Sequence, residues 1–433
     1  MSSDPQARVG AAVRSIADAV PVDPPDVAVL MARATTKPGR WRPLLSAAGV
    51  LGVLAAAALG PGLLAQPAAP TDGTVLPNRL AGLSLLTAPV SEAPPGPALL
   101  MYVQGAGGPR WLHTQQTVVL GADGHTYRRL DEAERRGGPA ELGTWQDAPA
   151  LLAPDGTRVA VGRTATGTAA TDAADIVVVD LRTGVTGTKA TFGTGVVQPL
   201  AWSPDGTRLA YTVGDTESAV LDFTTGISTR LATVATAAAF SPDGRRLAVQ
   251  GAPDTEVEPR RAIRIVEVAG GEVVAELAPV GFGVLIAGQA AWSPDGRWLA
   301  VADNAGVGKL DCTIAFLPTD PLDRASPPAP IVTEEQIALV GWAAQDRPLV
   351  TQGGATEHRT VSGPDLRPLT TADGSTTYDL QAATALLPSA RVAPGGDPDR
   401  GPWPVWLRLT IAAAALAVVG LGWLLWSRRR ATR

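Results

Sequence analysis

Cysteine is all but absent from this chain: Cys312 stands alone in 433 residues. One thiol can form neither an intramolecular disulfide nor a multi-cysteine zinc site. It reads as a small buried strand residue. Histidine is nearly as scarce, and His113, His125 and His358 are scattered without metal-ligand spacing. Lysine occurs only at 37, 189 and 309, so arginine carries nearly all the positive charge. Three catalytic signatures are missing too: a Gly-x-Ser-x-Gly elbow, a Walker A loop and a helical His-Glu-x-x-His. Gly105-Ala106-Gly107-Gly108-Pro109 is glycine-rich, but proline follows where a phosphate-binding helix would begin. These absences leave no residue assigned to catalysis, to a cofactor or to a metal. Long helical periodicity is also lacking between residues 79 and 392, where no helical pattern exceeds two turns.

Glycine (47) and proline (38) are abundant, and hydrophobic residues make up 45% of the chain. That suits a packed core of short strands joined by turns. Runs such as Ala98–Val103, Ile176–Asp180, Ala219–Phe223 and Ile263–Val268 alternate with Gly, Pro, Asp and Thr turns.

One phrase recurs. It reads Ala-Trp-Ser-Pro-Asp-Gly-Thr-Arg-Leu-Ala from Ala201, and returns with small changes from Ala239 and from Ala291. A fourth copy, Leu151 to Ala160, keeps Pro154, Asp155, Gly156 and Arg158; a worn fifth keeps Trp342 and Asp346. The marker aspartates recur roughly every 40–50 residues, the period of a propeller blade or solenoid repeat. Each unit runs in the same order: a strand ending in an aromatic residue, the turn, a Leu-Ala strand, a third strand, a Thr-Gly or Gly-Gly turn and a fourth strand. Four antiparallel strands in one period make a propeller blade.

The turn residues have individual reasons. Pro154, Pro204, Pro242 and Pro294 preset the first central position of a type I turn. Asp155, Asp205, Asp243 and Asp295 hydrogen-bond the local backbone, with Ser203, Ser241 and Ser293 ahead of them. Gly156, Gly206, Gly244 and Gly296 accept the left-handed conformation that re-enters a strand. One carboxylate per turn is too few ligands for calcium. Trp202, Phe240, Trp292 and Trp342 are expected to pack between blades.

Aromatic-Ser-Pro-Asp-Gly-x-x-Leu-Ala, followed by a strand and a Thr-Gly turn, resembles the WD-repeat-like propeller repeats of TolB and its relatives. The resemblance is specific over Ala201–Gly226 and Ala239–Gly271, good over Ala291–Leu317, and covers roughly 80–400 at the level of fold. The flanking layout resembles two-span actinobacterial membrane proteins of WD-repeat type. The resemblance implies a platform for protein binding and brings no catalytic residue set.

The expected fold is therefore an all-β propeller of four-stranded antiparallel blades, flanked by two single transmembrane helices. Seven blades are favoured, with Arg79–Leu100 and Ser375–Val392 pairing into a shared closing blade; six is the alternative, with the N-terminal material folded into the first. Leu44–Ala65 and Leu409–Trp426 contain no charge, and each approaches the length of a spanning helix. Basic residues outside both stretches place the two termini in the cytoplasm and the propeller outside. Uncleaved anchoring is preferred to a signal peptide for the first stretch, because the charged region ahead of it is too long.

The expected organisation is a cytoplasmic tail with short amphipathic helices (1–43), a span (44–65), a linker (66–78), the propeller (79–392), a linker (393–406), a span (407–426) and a basic tail (427–433). Removing the basic ends leaves an outer segment more acidic than the chain's net −5, a poor match for nucleic acid. The cluster Asp131-Glu132-Ala133-Glu134-Arg135-Arg136 reads as a solvated loop or short helical turn. Three functions compete: an envelope scaffold binding a protein or cell-wall partner, a sensor whose N-terminal tail holds a regulator such as a sigma factor, and a hydrolase with its site in the propeller channel. No cofactor is expected.

Overall fold

In the computed structural model, the described residues run from 73 to 431, except 106–114, 140–144, 165–172, 252–260, 281–283, 304–311, 321–324, 334–336, 344–346, 354–357, 363–366, 373–376 and 404. The expected tail 1–43 and first span 44–65 lie outside them, as does the worn turn at Asp346.

The chain folds as a β-propeller. Five sheets have four strands each. In order from the axis outward, the second sheet holds Ala150–Leu152, Arg158–Val161, Ala173–Asp180 and Thr186–Thr194. The third holds Val197–Trp202, Arg208–Val213, Glu217–Asp222 and Ser228–Arg230. Ala235–Phe240, Arg246–Gly251, Arg261–Glu267 and Val273–Val280 form the fourth. Val284–Ile286, Trp298–Asp303, Cys312–Pro318 and Ile331–Thr333 form the fifth. The first, closing sheet runs Thr377–Ala382, Ala98–Gln104, Gln116–Gly121 and Tyr127–Arg129. A further, mixed sheet has five strands: Ile337–Ala343, Arg347–Gly353, His358–Ser362 and Arg367–Ala372 are antiparallel, and Arg79–Leu80 adds in parallel.

The expectation of six or seven four-stranded blades is thus corrected to five, beside one five-stranded mixed sheet. The segments expected to build a separate closing blade do not pair with each other as one. Thr377–Ala382 instead becomes the innermost strand beside Ala98–Gln104, with Gln381 opposite Met101. Shared closure by both ends of the chain is real, but it completes an existing sheet. The ends meet again where Val75–Pro77 pairs in parallel with Arg391–Ala393.

The strands read as continuous apolar runs because each sheet is covered on both faces by its neighbours. Ser218, Ala219, Val220 and Leu221 are all buried, whereas the outermost strand Ser228–Arg230 is not. The apolar clusters lie between sheets. One joins Leu151, Ile176 and Val178 to Trp202, Leu209 and Tyr211; another joins Ala201 and Val220 to Phe240, Leu247 and Val266.

The cluster Asp131–Arg136 is a short helix, and its expected solvation is corrected: Asp131, Ala133, Glu134 and Arg136 are buried. Arg136 crosses to the second sheet, donating to the carbonyls of Gly162 and Asp175 at 2.8 Å each and pairing with the Asp175 carboxylate. Among the described residues one helix, Val405–Ala431, contains a stretch long and apolar enough to cross a membrane, Leu407–Arg428. Residues through Arg408 belong to the propeller's compact unit, and those from Leu409 to another.

Candidate functional site: the axial channel

The innermost strands of all six sheets line one axial cavity of about 460 Å³. Its wall is mainly small or apolar (Ala150, Ala237, Leu285, Ala338), with Gln198, Thr236, Thr377 and Gln381 as polar points. One end is crossed by a single side chain. Gln289, in the connection after Val284–Ile286, donates from Nε2 to the carbonyl of Leu152 at 2.9 Å. Its Oε1 accepts from the backbone N–H of Trp202 at 3.3 Å. It therefore bridges from the fifth sheet to the second and third, at the end that carries the Ser-Pro-Asp-Gly turns.

Towards the other end a second cavity of about 410 Å³ shares Pro149, Ala150, Gln198, Tyr378 and Asp379 with the first. Asp379 is the single carboxylate among the described residues lining the axial cavity. Its backbone has φ +52°, the single positive value at a non-glycine among the described residues. It sits where the closing strand's register breaks, between Tyr378 and Gln381. That irregularity lets an acidic residue stand in an otherwise neutral wall. The side chain is exposed to the cavity, yet the channel wall surrounds it. Desolvation raises its pKa, opposed by a hydrogen bond from Gln381 Nε2 at 3.3 Å.

The repeated turns lie away from this lining. Asp205 Oδ1 accepts from Ser203 Oγ at 2.5 Å and from Thr207 N and Oγ1 at 3.0 and 2.9 Å. Ser203 Oγ in turn accepts from Arg208 N at 2.9 Å. Ser241–Asp243–Arg246 and Ser293–Asp295–Trp298 repeat the pattern. At the fourth copy Ala153 replaces serine, and Asp155 bonds Thr157 alone. Pro154, Pro204, Pro242 and Pro294 hold these turns, and Gly156, Gly206, Gly244 and Gly296 all have φ between +65° and +73°. Burial works against ionised Asp205, but bonds from Ser203 and Thr207 outweigh it and hold the carboxyl below its usual range. The Ser241 hydroxyl does the same for Asp243.

The aromatics reach backwards around the ring. Trp202 Nε1 donates to Leu151 O at 3.0 Å, Trp292 to Ala239 O at 2.9 Å and Trp342 to Ala290 O at 2.8 Å. Phe240 lacks a donor and is buried by packing alone. The arginines of the phrase reach forwards. Arg158 Nη2 donates to Gly206 O at 2.8 Å, and Arg208 Nη1 to Gly244 O at 3.1 Å. A forward arginine and a backward tryptophan thus tie the second sheet to the third.

Glutamines do the same work elsewhere. Gln250 gives Nε2 to Val284 O and receives Ile286 N–H on Oε1, both at 2.8 Å. Gln381 does likewise with Ala150 O and Leu152 N, both at 3.0 Å. A primary amide offers a donor and an acceptor side by side, so each mimics one rung of a β-ladder. No sequence signal marked Gln250, Gln289, Gln381 or Asp379, because all four lie outside the repeated phrase.

No family model and no curated relative matches the chain. Solved structures do. TolB from Acinetobacter baumannii is 16% identical, with 67% of this chain and 68% of that one covered and a TM-score of 0.43. The propeller domain of the trilobed protease from Pyrococcus furiosus is 15% identical over 51% of this chain and 70% of that one, TM-score 0.35. Pyrococcus horikoshii acylaminoacyl peptidase is 14% identical over 48% of this chain and 36% of that one, TM-score 0.34. At these identities the likeness is one of propeller fold.

Proposed function

We propose that this chain is a membrane-anchored scaffold of the cell envelope, which binds a protein or cell-wall partner at the open end of its ring. The observation carrying this reading is that one end varies in every sheet, while the other repeats closely in the second to fourth. In the second, third and fourth sheets the first-to-second and third-to-fourth turns share one end and are short and alike: 153–157, 203–207 and 241–245, then 181–185, 223–227 and 268–272; the fifth sheet departs from them with 287–297 and 319–330. The second-to-third connections depart from the opposite end and differ in length: 105–115, 162–172, 214–216, 252–260, 304–311 and 354–357. Gln289 crosses the channel at the end of the repeated turns, which favours the opposite end, where the second-to-third connections vary, as the place of entry. Variable connections on a rigid scaffold are the usual place for recognition.

The Ser-Pro-Asp-Gly aspartates and the inter-sheet aromatics then act as structural devices, since their polar atoms are spent within the ring. A hydrolase gains little support from a channel wall holding one carboxylate and no histidine among the described residues. The apolar helix Val405–Ala431, whose last turn carries Arg428, Arg429 and Arg430, supports an anchor with the propeller outside and basic residues inside. Protease treatment of intact cells tests the topology. The propeller should be cut and the tails protected; a protected propeller with cut tails contradicts it.

A further inference from the structure

We propose that the loop Ala81–Leu86 is a membrane-interface contact, which meets the lipid surface. The inference depends on the anchoring reading above. Leu83, Leu85 and Leu86 are 37%, 50% and 38% exposed, three leucines within four residues. Trp403, two residues before the apolar helix starts, is 54% exposed. Outside the helix, the other exposed large apolar residues among those described are five valines and Ile227, spread over strands and turns, and Leu285 of the channel wall.

The loop is held from beneath. Ala81 N donates to Tyr127 Oη at 3.2 Å, and Leu86 N to Ser84 Oγ at 3.2 Å. Thr87 Oγ1 donates to Ser84 O at 3.1 Å. Arg400 then joins it to the chain entering the helix, donating to Gly82 O at 2.8 Å and to Thr87 Oγ1 at 3.1 Å. Ala88 N donates to Arg400 O at 2.8 Å, and Gly401 packs so closely on Ala88 that an added Cβ would lie 2.7 Å from the alanine Cβ. The leucine loop is thus clasped to Arg400 and Gly401, just ahead of Trp403 in the chain. A pinned loop that shows leucine outward leaves apolar area in water unless another surface covers it. The covalent neighbourhood fixes the occupant: Trp403 is a residue type of the membrane interface, and it directly precedes the span.

The test uses the full chain reconstituted in phosphatidylcholine vesicles. A Cys312→Ala background carries one environment-sensitive fluorophore at Leu85→Cys, at Leu416→Cys in the helix, or at Val274→Cys on the outer strand of the fourth sheet. Nitroxide lipids report contact with the bilayer, and iodide reports contact with water. The proposal expects lipid-borne nitroxide to remove most fluorescence at 416 and at 85 but little at 274. Adding Leu83→Ser and Leu86→Ser should abolish quenching at 85 and leave 416 unchanged. Quenching at 416 with iodide-accessible fluorescence at 85 overturns the proposal and spares the anchor. Fluorescence at 85 shielded from both quenchers overturns it in favour of cover by another segment of the chain. Lack of quenching at 416 overturns the anchor itself, and this proposal with it.

Discussion

Two glycines of the same turn separate conformation from contact at the scale of a residue. Gly156 has φ +69°, and an added Cβ would lie 2.1 Å from Ala98 O. Gly206 has φ +65°, but its near neighbour is the mobile end of Arg158. Gly156→Ala should therefore cost about 2–4 kcal/mol, and Gly206→Ala about 1–2 kcal/mol, in chemical denaturation. Glu134 offers a test with a sign. Burial, the largest influence, pushes its pKa from 4.5 up to about 7, against the pull of Arg129 and with help from Asp147 and Asp131. The folded state then holds a proton that the unfolded state releases near 4.5. The stabilisation is complete below that value and is lost as pH rises towards 7. Stability measured across this window should fall by roughly 2–3 kcal/mol more in the wild type than in Glu134→Gln. The turn aspartates run the other way. Asp205 and Asp243, held below their usual range, contribute above their unfolded pKa and lose that contribution as acid protonates them.

Joints between sheets matter most at the scale of the element. Gln250→Leu keeps the volume but leaves the Ile286 N–H and the Val284 carbonyl without their partner. We expect a loss of about 2–4 kcal/mol by denaturant titration, with unchanged far-ultraviolet circular dichroism at low denaturant. This scale also shows what the sequence could and could not disclose. The turn and its following strand were legible because proline, aspartate and glycine each solve a local problem within five residues. The aromatic before the turn was legible because it recurs once per period. Closure was legible only in outline. Whether Thr377–Ala382 makes a new sheet or completes an old one depends on pairing with Ala98–Gln104, far away in the chain. The glutamine joints left no trace, since a glutamine bonded to a neighbouring strand is the same letter as a solvated one. The helix Asp131–Arg136 misled for a similar reason: charge suggests water, and its Arg136 is instead satisfied by Gly162 and Asp175 of the next sheet.

For the whole propeller, the turns at one end repeat closely in the second to fourth sheets, and the connections at the other end differ throughout. The stretch 393–406, expected as a linker, carries bonds back to the propeller: Asp399 accepts from Arg128 and Tyr127, and Arg400 donates to Gly82 and Thr87. Arg128→Ala should free this strap, measured as faster amide exchange at 399–401 with little change at Leu209–Tyr211 of the third sheet. The central claim is that recognition belongs to the open, variable end of the ring. Photo-crosslinking in living cells tests it most directly, with the reactive group placed at Asp215 or Thr236 at the open end, and at Thr224 or Arg245 at the uniform end. The account predicts a discrete adduct of the same mass from the first pair and none from the second. An adduct confined to the uniform end would contradict it.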